Sequence, residues 1–431
     1  MQKPTIKKLK NGLRVLFLPL PQSTSVTVAV FVRAGSAYED KHNNGISHFL
    51  EHMCFKGTDT FPRPVDISNE LEQIGASYNA FTERDLTGYY AKVAPRYFSR
   101  AFEVISDLYL HPHIEEQEME KEKGVIIEEI HMYDDDPQSK VSETLESGLY
   151  GDQPAGWNIA GTPKLITNTT RDMFINYRAQ RYTPSNTVVV IAGAYNQTQA
   201  LQAIENKFAN TPWARKTTAA PGLIKNRKGN AISIVQRELD QTHFAMGFYG
   251  LPLDSSRQFE VSMLAKILGG GMSSRLFQRV REDLGAAYYV GSSSITHATH
   301  GYIHISAGTN HQKTTQAIEA IIKELRSITR AGVTKEELRR AKDHAIGTFL
   351  LSLETSSDLA FYYGQQATIK RVMQSPQEVI RKVKQVTADQ VHAAAKEFFK
   401  LNQMRFAIIG PYKKNEERRF KKLLQGNSFK S

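Results

Sequence analysis

Gly45-Ile46-Ser47-His48-Phe49-Leu50-Glu51-His52-Met53-Cys54-Phe55-Lys56-Gly57 carries two histidines four residues apart, with a carboxylate directly before the second. On a helix, positions i and i+4 stand one above the other, so His48 and His52 can turn two imidazole nitrogens toward one metal ion. Glu51 lies three residues after His48 and one before His52, on the same flank, within reach of a water beside that ion. Ile46, Phe49, Leu50, Met53 and Phe55 give the stretch apolar faces, and Gly45 and Gly57 bracket it, as expected of a short helix held inside a core. Two core histidines beside a solvated glutamate would account for the same residues more plainly. Chance, however, produces the order H-x-x-E-H in only about one chain in a hundred of this length.

H-x-x-E-H is the inverted zincin order. A hydrolytic zinc site takes three protein ligands, so a third must come from elsewhere, and a carboxylate is acceptable. Glu122-Lys123-Gly124-Val125-Ile126-Ile127-Glu128-Glu129-Ile130-His131 reads as helix. Glu122 and Glu129 are two turns apart and share a face with Val125, whereas Glu128 points about 100° away. Glu129 is therefore expected to be the ligand and Glu122 the carboxylate that orients a histidine N–H. Glu115, Glu116, Glu118 and Glu120 fit a solvated acidic surface.

A chain of 431 residues exceeds one ordinary hydrophobic core and suits two domains of about 200 residues each. No apolar run long enough to span a bilayer is present, so no membrane association is expected. Met1-Gln2-Lys3-Pro4-Thr5 leads into a strand-like segment without an apolar or Arg- and Ser-rich leader. The expected location is a bacterial-type cytoplasm, unless a targeting segment has been removed. The single cysteine, Cys54, rules out an intrachain disulfide framework and is expected to serve packing. Net charge is +11, divided as −5 over residues 1–210 and +16 over residues 211–431. An acidic half carrying the metal site would favour basic peptides. The excess of cations in the other half is read as surface composition plus a basic tail at Arg418-Arg419-Phe420-Lys421-Lys422. No nucleic-acid-binding module is recognisable, and no nucleic acid is expected as a partner.

Residues 5–19, with a turn at Asn11-Gly12, and residues 24–37, with the β-branched run Ser25–Val32, read as two strands. After the metal helix come a helix from about residue 65 to 74 and an antiparallel pair, 76–83 and 86–93, joined at Arg84-Asp85. Helices follow over about 97–110 and 115–133, interrupted at Asp134-Asp135-Asp136-Pro137 and then resumed. Residues 170–180 read as helix and 187–192 as strand. The second half repeats that ending: Thr170, a helix, Asn186, Val188-Val189-Val190-Ile191 and Gly193 match Thr387, a helix, Asn402, Phe406-Ala407-Ile408-Ile409 and Gly410. A duplicated domain is the economical explanation. The fold class is therefore α+β: two tandem homologous α/β domains, each a largely antiparallel sheet packed with helices. Expected boundaries are 1–210 for a zinc-binding catalytic domain, 211–230 for an exposed linker, 231–415 for the second domain and 416–431 for the basic tail.

The chain resembles the inverted zinc metallopeptidases of the pitrilysin type, and most of all the branch of the mitochondrial processing peptidase β-subunit and its bacterial relatives. The likeness rests on His48-Phe49-Leu50-Glu51-His52 followed by Phe55-Lys56-Gly57-Thr58, and on Glu122 with Glu129, the latter 77 residues beyond His52. It extends to Gly75-Ala76-Ser77-Tyr78-Asn79-Ala80-Phe81-Thr82, Arg181-Tyr182-Thr183-Pro184-Ser185-Asn186 and Leu268-Gly269-Gly270-Gly271-Met272-Ser273-Ser274-Arg275-Leu276-Phe277, and covers about residues 5–411. It implies a zinc endopeptidase with one Zn²⁺ per chain on His48, His52 and Glu129, and with Glu51 as general base. It further implies that substrate lies along a strand containing Asn79, Ala80, Phe81 and Thr82. Arg281 and Tyr288, seven residues apart, match a pair that donates hydrogen bonds to the substrate carbonyl. Without the resemblance they would pass as a surface helix residue and a strand residue. Ala286 stands where a leucine is common.

Long-chain members of the family enclose substrate with four such domains. This chain, with two, resembles half a clamshell and is expected to form a homodimer, or a heterodimer with a homologous subunit. Peptides, possibly basic ones, are the expected substrates. A non-catalytic core subunit and a catalytic subunit idle without a different partner are the rival readings, and retention of every metal and base residue counts against the first.

Overall fold

The computed structural model describes residues 3–209, 222, 229–370 and 372–425. Most of the expected linker and the last six residues of the tail lie outside these.

The chain divides into two compact units, each built on one sheet. In the first sheet the strands are β1 (Thr5–Lys8), β2 (Arg14–Pro19), β3 (Val26–Val32), β4 (Ser77–Thr82), β5 (Thr87–Val93) and β6 (Thr187–Gly193), in the order β1-β2-β6-β3-β5-β4. Only β2 and β6 run parallel. In the second, β7 (Ile232–Gln236), β8 (Thr242–Tyr249), β9 (Tyr289–Thr296), β10 (Gly301–Thr309) and β11 (Arg405–Gly410) take the order β7-β11-β8-β10-β9, and only β7 and β11 run parallel. In both sheets the last strand slips between the strand it parallels and the next one along. These are the two strands that close the repeated stretch, so the duplication read from Thr170–Gly193 and Thr387–Gly410 is visible in the topology.

The units are not the two continuous stretches expected. The first comprises Met1–His131, Asn158–Pro221 and Leu350–Pro376, and the second Met132–Trp157, Gly222–Phe349 and Gln377–Ser431. The physical reason lies in the central strands, which are buried at nearly every position and so need a cover on both faces. On β3, Val26, Val28, Val30 and Val32 face a core formed with helix Ile46–Cys54 and helices Phe98–Leu110 and Arg171–Arg181. The opposite face takes helix Ser356–Ile369 from late in the chain. Phe361 meets Phe31 and Tyr90 edge-on at 5.8 and 4.8 Å, and a Cβ on Gly364 would meet the Phe31 ring at 2.2 Å. In the second unit, Phe244, Met246, Phe406 and Ile408 face the main core. Ala245, Ala407 and Ile409 are covered by Val141, Leu145 and Leu149 of helix Pro137–Tyr150, from early in the chain.

Element boundaries otherwise move by a few residues. Residues 36–38 form a 3-10 turn rather than strand. The long acidic helix runs Glu116–Asp135 and breaks only at Asp136, whose carboxylate accepts hydrogen bonds from the Gln138 and Ser139 amides of the next helix. The described part of the expected basic tail, residues 416–425, is ordered into secondary structure. Glu417–Leu424 is a helix whose Phe420, Leu423 and Leu424 are buried in the second unit's core, with Arg418, Arg419, Lys421 and Lys422 on its other face. Among the described residues no helix is long and apolar enough to cross a membrane.

Candidate metal centre

Helix Ile46–Cys54 starts directly after Gly45, whose φ of +99° is open to glycine and whose Cβ, were there one, would meet the Ala160 carbonyl oxygen at 2.7 Å. Ile46, Phe49, Leu50, Met53 and Cys54 are buried, and Phe49 packs edge-on against Phe174 at 4.8 Å. The helix ends before Phe55, which packs partly buried on the same core, so Gly57 lies three residues beyond rather than at its end. Cys54 is fully buried beside the Tyr89 hydroxyl, and burial pushes its thiol up to about 11, in keeping with a packing role.

With its core face fixed in this way, the helix presents His48 and His52 to helix Glu116–Asp135. Glu129 Oε2 lies 3.6 Å from His48 Nε2 and 3.5 Å from His52 Nε2, and the three potential ligand atoms all fall within 4.8 Å of one another. Tetrahedral zinc with bonds of about 2.0–2.1 Å would set its ligand atoms about 3.3 Å apart, so these three side chains fit such an ion with little adjustment. Among the described residues no other group of three metal-ligating side chains is so placed.

The neighbours differ between the two histidines. His52 Nδ1 is hydrogen-bonded to Glu122 Oε1 at 2.8 Å, and the other oxygen of Glu122 is held by Lys56 Nζ at 2.5 Å. Burial works against a charged His52, but the Glu122 bond and the carboxylates around it prevail and raise its pKa. Burial likewise opposes ionisation of Glu122, and its bonds to His52 and Lys56 outweigh it, leaving the pKa lowered. His48 is pushed down to about 4 by burial and by His52, which keeps it neutral as a ligand must be. Its Nδ1 is buried with no hydrogen-bond partner among the described residues.

Glu51 faces the same space. Its Oε2 accepts a hydrogen bond of 2.5 Å from Thr82 Oγ1, and burial pushes its pKa up to about 7 against that bond and the pull of His52. Thr82 ends β4, which is the edge strand of its sheet. Of the four residues expected to line substrate, Asn79 is exposed, Phe81 and Thr82 are half-buried and Ala80 is buried. Glu128 points into solvent, as its helical position requires. The sequence did not single out Lys56 for this role, nor Thr82 as a partner of Glu51; the second contact joins residues 31 apart and no spacing rule reports it.

Arg281 and Tyr288 belong to the second unit. Arg281 lies exposed in a π-helical stretch, Phe277–Asp283, with its guanidinium 4.8 Å over the Phe277 ring. Such wide turns are frequent at functional sites. Tyr288 is 57% exposed, just ahead of β9, and its amide donates to the Gly308 carbonyl.

Comparison with known proteins places this geometry. Residues 14–163 match the family described as Insulinase (Peptidase family M16), and residues 168–344 match the Peptidase M16 inactive domain. An uncharacterized zinc protease of Bacillus subtilis is 34% identical over 402 residues, covering 93% of this chain and 97% of the relative. The chain belongs to the M16 peptidase family. An uncharacterized zinc protease of Rickettsia felis is also 34% identical, over 94% of this chain and 97% of its own length. The crystal structure of a protease from Helicobacter pylori superposes with a TM-score of 0.88 at 23% identity, over 95% of this chain and 99% of that one, a likeness of fold. The match named as inactive falls on residues 168–344, outside the stretch that holds His48, Glu51, His52 and Glu129.

Proposed function

We propose that this M16 family member is a zinc-dependent endopeptidase that cleaves unstructured peptides, with one ion per chain on His48, His52 and Glu129. The observation that carries this is the convergence of those three side chains, with a buried carboxylate, Glu51, close enough to feel the charges of His52 and Glu129. Zinc bound there would polarise the scissile carbonyl and lower the pKa of the attacking water. Glu51 takes the proton from that water and passes it to the leaving amine. Thr82, by donating to one oxygen of Glu51, limits the carboxylate's rotation and leaves the other oxygen for the proton.

The peptide would join the first sheet at β4, whose outer edge has no strand partner among the described residues. Backbone hydrogen bonds made there read an extended shape before side chains, which suits unstructured substrates or presequence-like segments. Arg281 and Tyr288 are proposed to donate hydrogen bonds to the carbonyl as its oxygen becomes negative, contributed by a second copy of the chain in a two-fold dimer that encloses substrate.

The test is zinc content and cleavage of an unstructured peptide by the purified chain alone. The expected result is about one zinc per chain, activity lost on chelation, and both metal and activity lost in His52→Ala and Glu129→Ala. A zinc-free, inactive wild type would point to a non-catalytic role, and a zinc-bound, inactive one to the need for a different partner chain.

A further inference from the structure

The two histidines are held in different ways, and the difference needs a physical source. Histidines that bind metal almost always give their second ring nitrogen to an acceptor, which fixes the ring's direction. His52 does so through Glu122, but His48 Nδ1 has no such partner among the described residues. The direction of the His48 ring therefore rests on packing, which includes an edge contact with the His52 ring at 4.6 Å, and on the backbone that carries it, in the first turn of helix Ile46–Cys54.

That first turn is held by a carboxylate from outside the motif. Glu39 is 1% exposed. Its Oε1 accepts from the Ser47 amide at 2.8 Å, and its Oε2 from the Gly45 amide at 2.8 Å and from Asn44 Nδ2 at 2.9 Å. Gly45 supplies no side-chain cap, so Glu39 satisfies amides at the helix start that would otherwise be orphaned in a dry interior. One of them belongs to the residue immediately before His48. Glu39 is itself anchored, because the preceding turn is tied to the β4–β5 hairpin by the Ala37 amide on the Arg84 carbonyl at 2.8 Å. Arg33 Nε also holds the Tyr38 hydroxyl at 2.7 Å.

We propose that Glu39 is a positioning residue for the metal centre: by clamping the amides of Gly45 and Ser47 it aims His48, as Glu122 aims His52. Glutamine at this position keeps the size but offers one acceptor oxygen in place of two and turns an NH₂ group toward a backbone donor, so the turn must shift. This inference rests on the metal reading above.

The experiment measures zinc affinity of the full chain by competition with a chromophoric chelator, and the visible spectrum of the cobalt(II) form, for wild type and Glu39→Gln. Thermal unfolding confirms that each is folded. The expected result is a zinc Kd raised by about tenfold or more in Glu39→Gln, within the usual range for residues that orient metal-binding histidines, together with altered cobalt bands. A folded Glu39→Gln chain with wild-type zinc affinity and cobalt spectrum would overturn the proposal, even if its Tm were lower, since a lower Tm is all that a purely structural role produces. Should glutamine leave the chain unfolded, Glu39→Asp, which keeps the charge but falls a methylene short, carries the same comparison with the same two outcomes. A wild type that binds neither metal would overturn the metal reading itself, and is distinguished from the first failure by the wild-type titration.

Discussion

Replacing Glu122 with glutamine tests the proposal that this residue orients a metal ligand whereas Glu129 is one. Glu122 is buried and uses its two oxygens on two donors, His52 Nδ1 at 2.8 Å and Lys56 Nζ at 2.5 Å. Glutamine has one acceptor oxygen, so one of those bonds is lost and an N–H group faces the donor left behind. A hydrogen bond to a charged group contributes about 1.5–3 kcal/mol. At about 1.4 kcal/mol per tenfold, that is a loss of roughly 10–150-fold in zinc affinity, close to the 10–100-fold expected on disturbing such a partner. Competition against a chromophoric chelator reads it directly. Zinc binding should weaken by that factor and persist in Glu122→Gln, whereas Glu129→Ala should abolish it. Total loss in the first variant with none in the second would exchange the two assignments. An unchanged affinity would mean that the Glu122 bond does not orient His52.

Asp107 is buried, and although burial opposes its ionisation, hydrogen bonds from Thr58, His111 and Thr60 prevail and lower its pKa. A folded pKa below the unfolded value adds stability that is present above about pH 4 and lost as pH falls through the folded value. Asp107→Asn should therefore lower Tm at pH 7 and reduce the further loss seen on acidification, as thermal melts at neutral and acid pH would show. If the negative balance of residues 1–210 shapes the site, basic peptides should have higher kcat/KM than acidic ones of equal length, with a preference that shrinks as salt rises; a ratio insensitive to salt would leave that charge as surface composition. For the dimer, mixing His52→Ala with Arg281→Ala chains should restore about a quarter of wild-type activity after subunit exchange, since half the dimers are mixed and each has one intact site. No recovery, with exchange confirmed by mass, would remove the shared-site arrangement.

The parts of this molecule that obey a local period were legible in its sequence. The placing of His48 and His52 on one helix flank follows from the helical repeat, as does the turning of Glu128 away from the face that Glu122 and Glu129 share, and the recurrence of a helix and closing strand in each unit follows from the repeated ending. What escaped is long-range. The run Val26–Val32 announces a strand buried on both faces, but nothing local says that its second cover is a helix more than 300 residues away. For that reason the linear boundary at residue 210 does not describe the compact units. Glu39 and the bond between Thr82 and Glu51 escaped for another cause: Glu39 reaches the Gly45 and Ser47 amides six and eight residues on, Thr82 reaches a carboxylate 31 residues back, and a single glutamate or threonine has no periodicity to mark such bonds. Phe420, Leu423 and Leu424 could have signalled that the basic tail is an amphipathic helix, since they sit at helical spacing among its lysines and arginines.

Glu51→Gln tests the central claim most directly, because it leaves the three candidate ligands in place and removes only the proton acceptor. Zinc content and turnover of an unstructured peptide should be measured on the same preparation. The account predicts about one zinc per chain, as in the wild type, with turnover reduced by about 10²–10⁴. Normal turnover in this variant would contradict Glu51 as the base, and a chain that lost its zinc would contradict the separation of base from ligands.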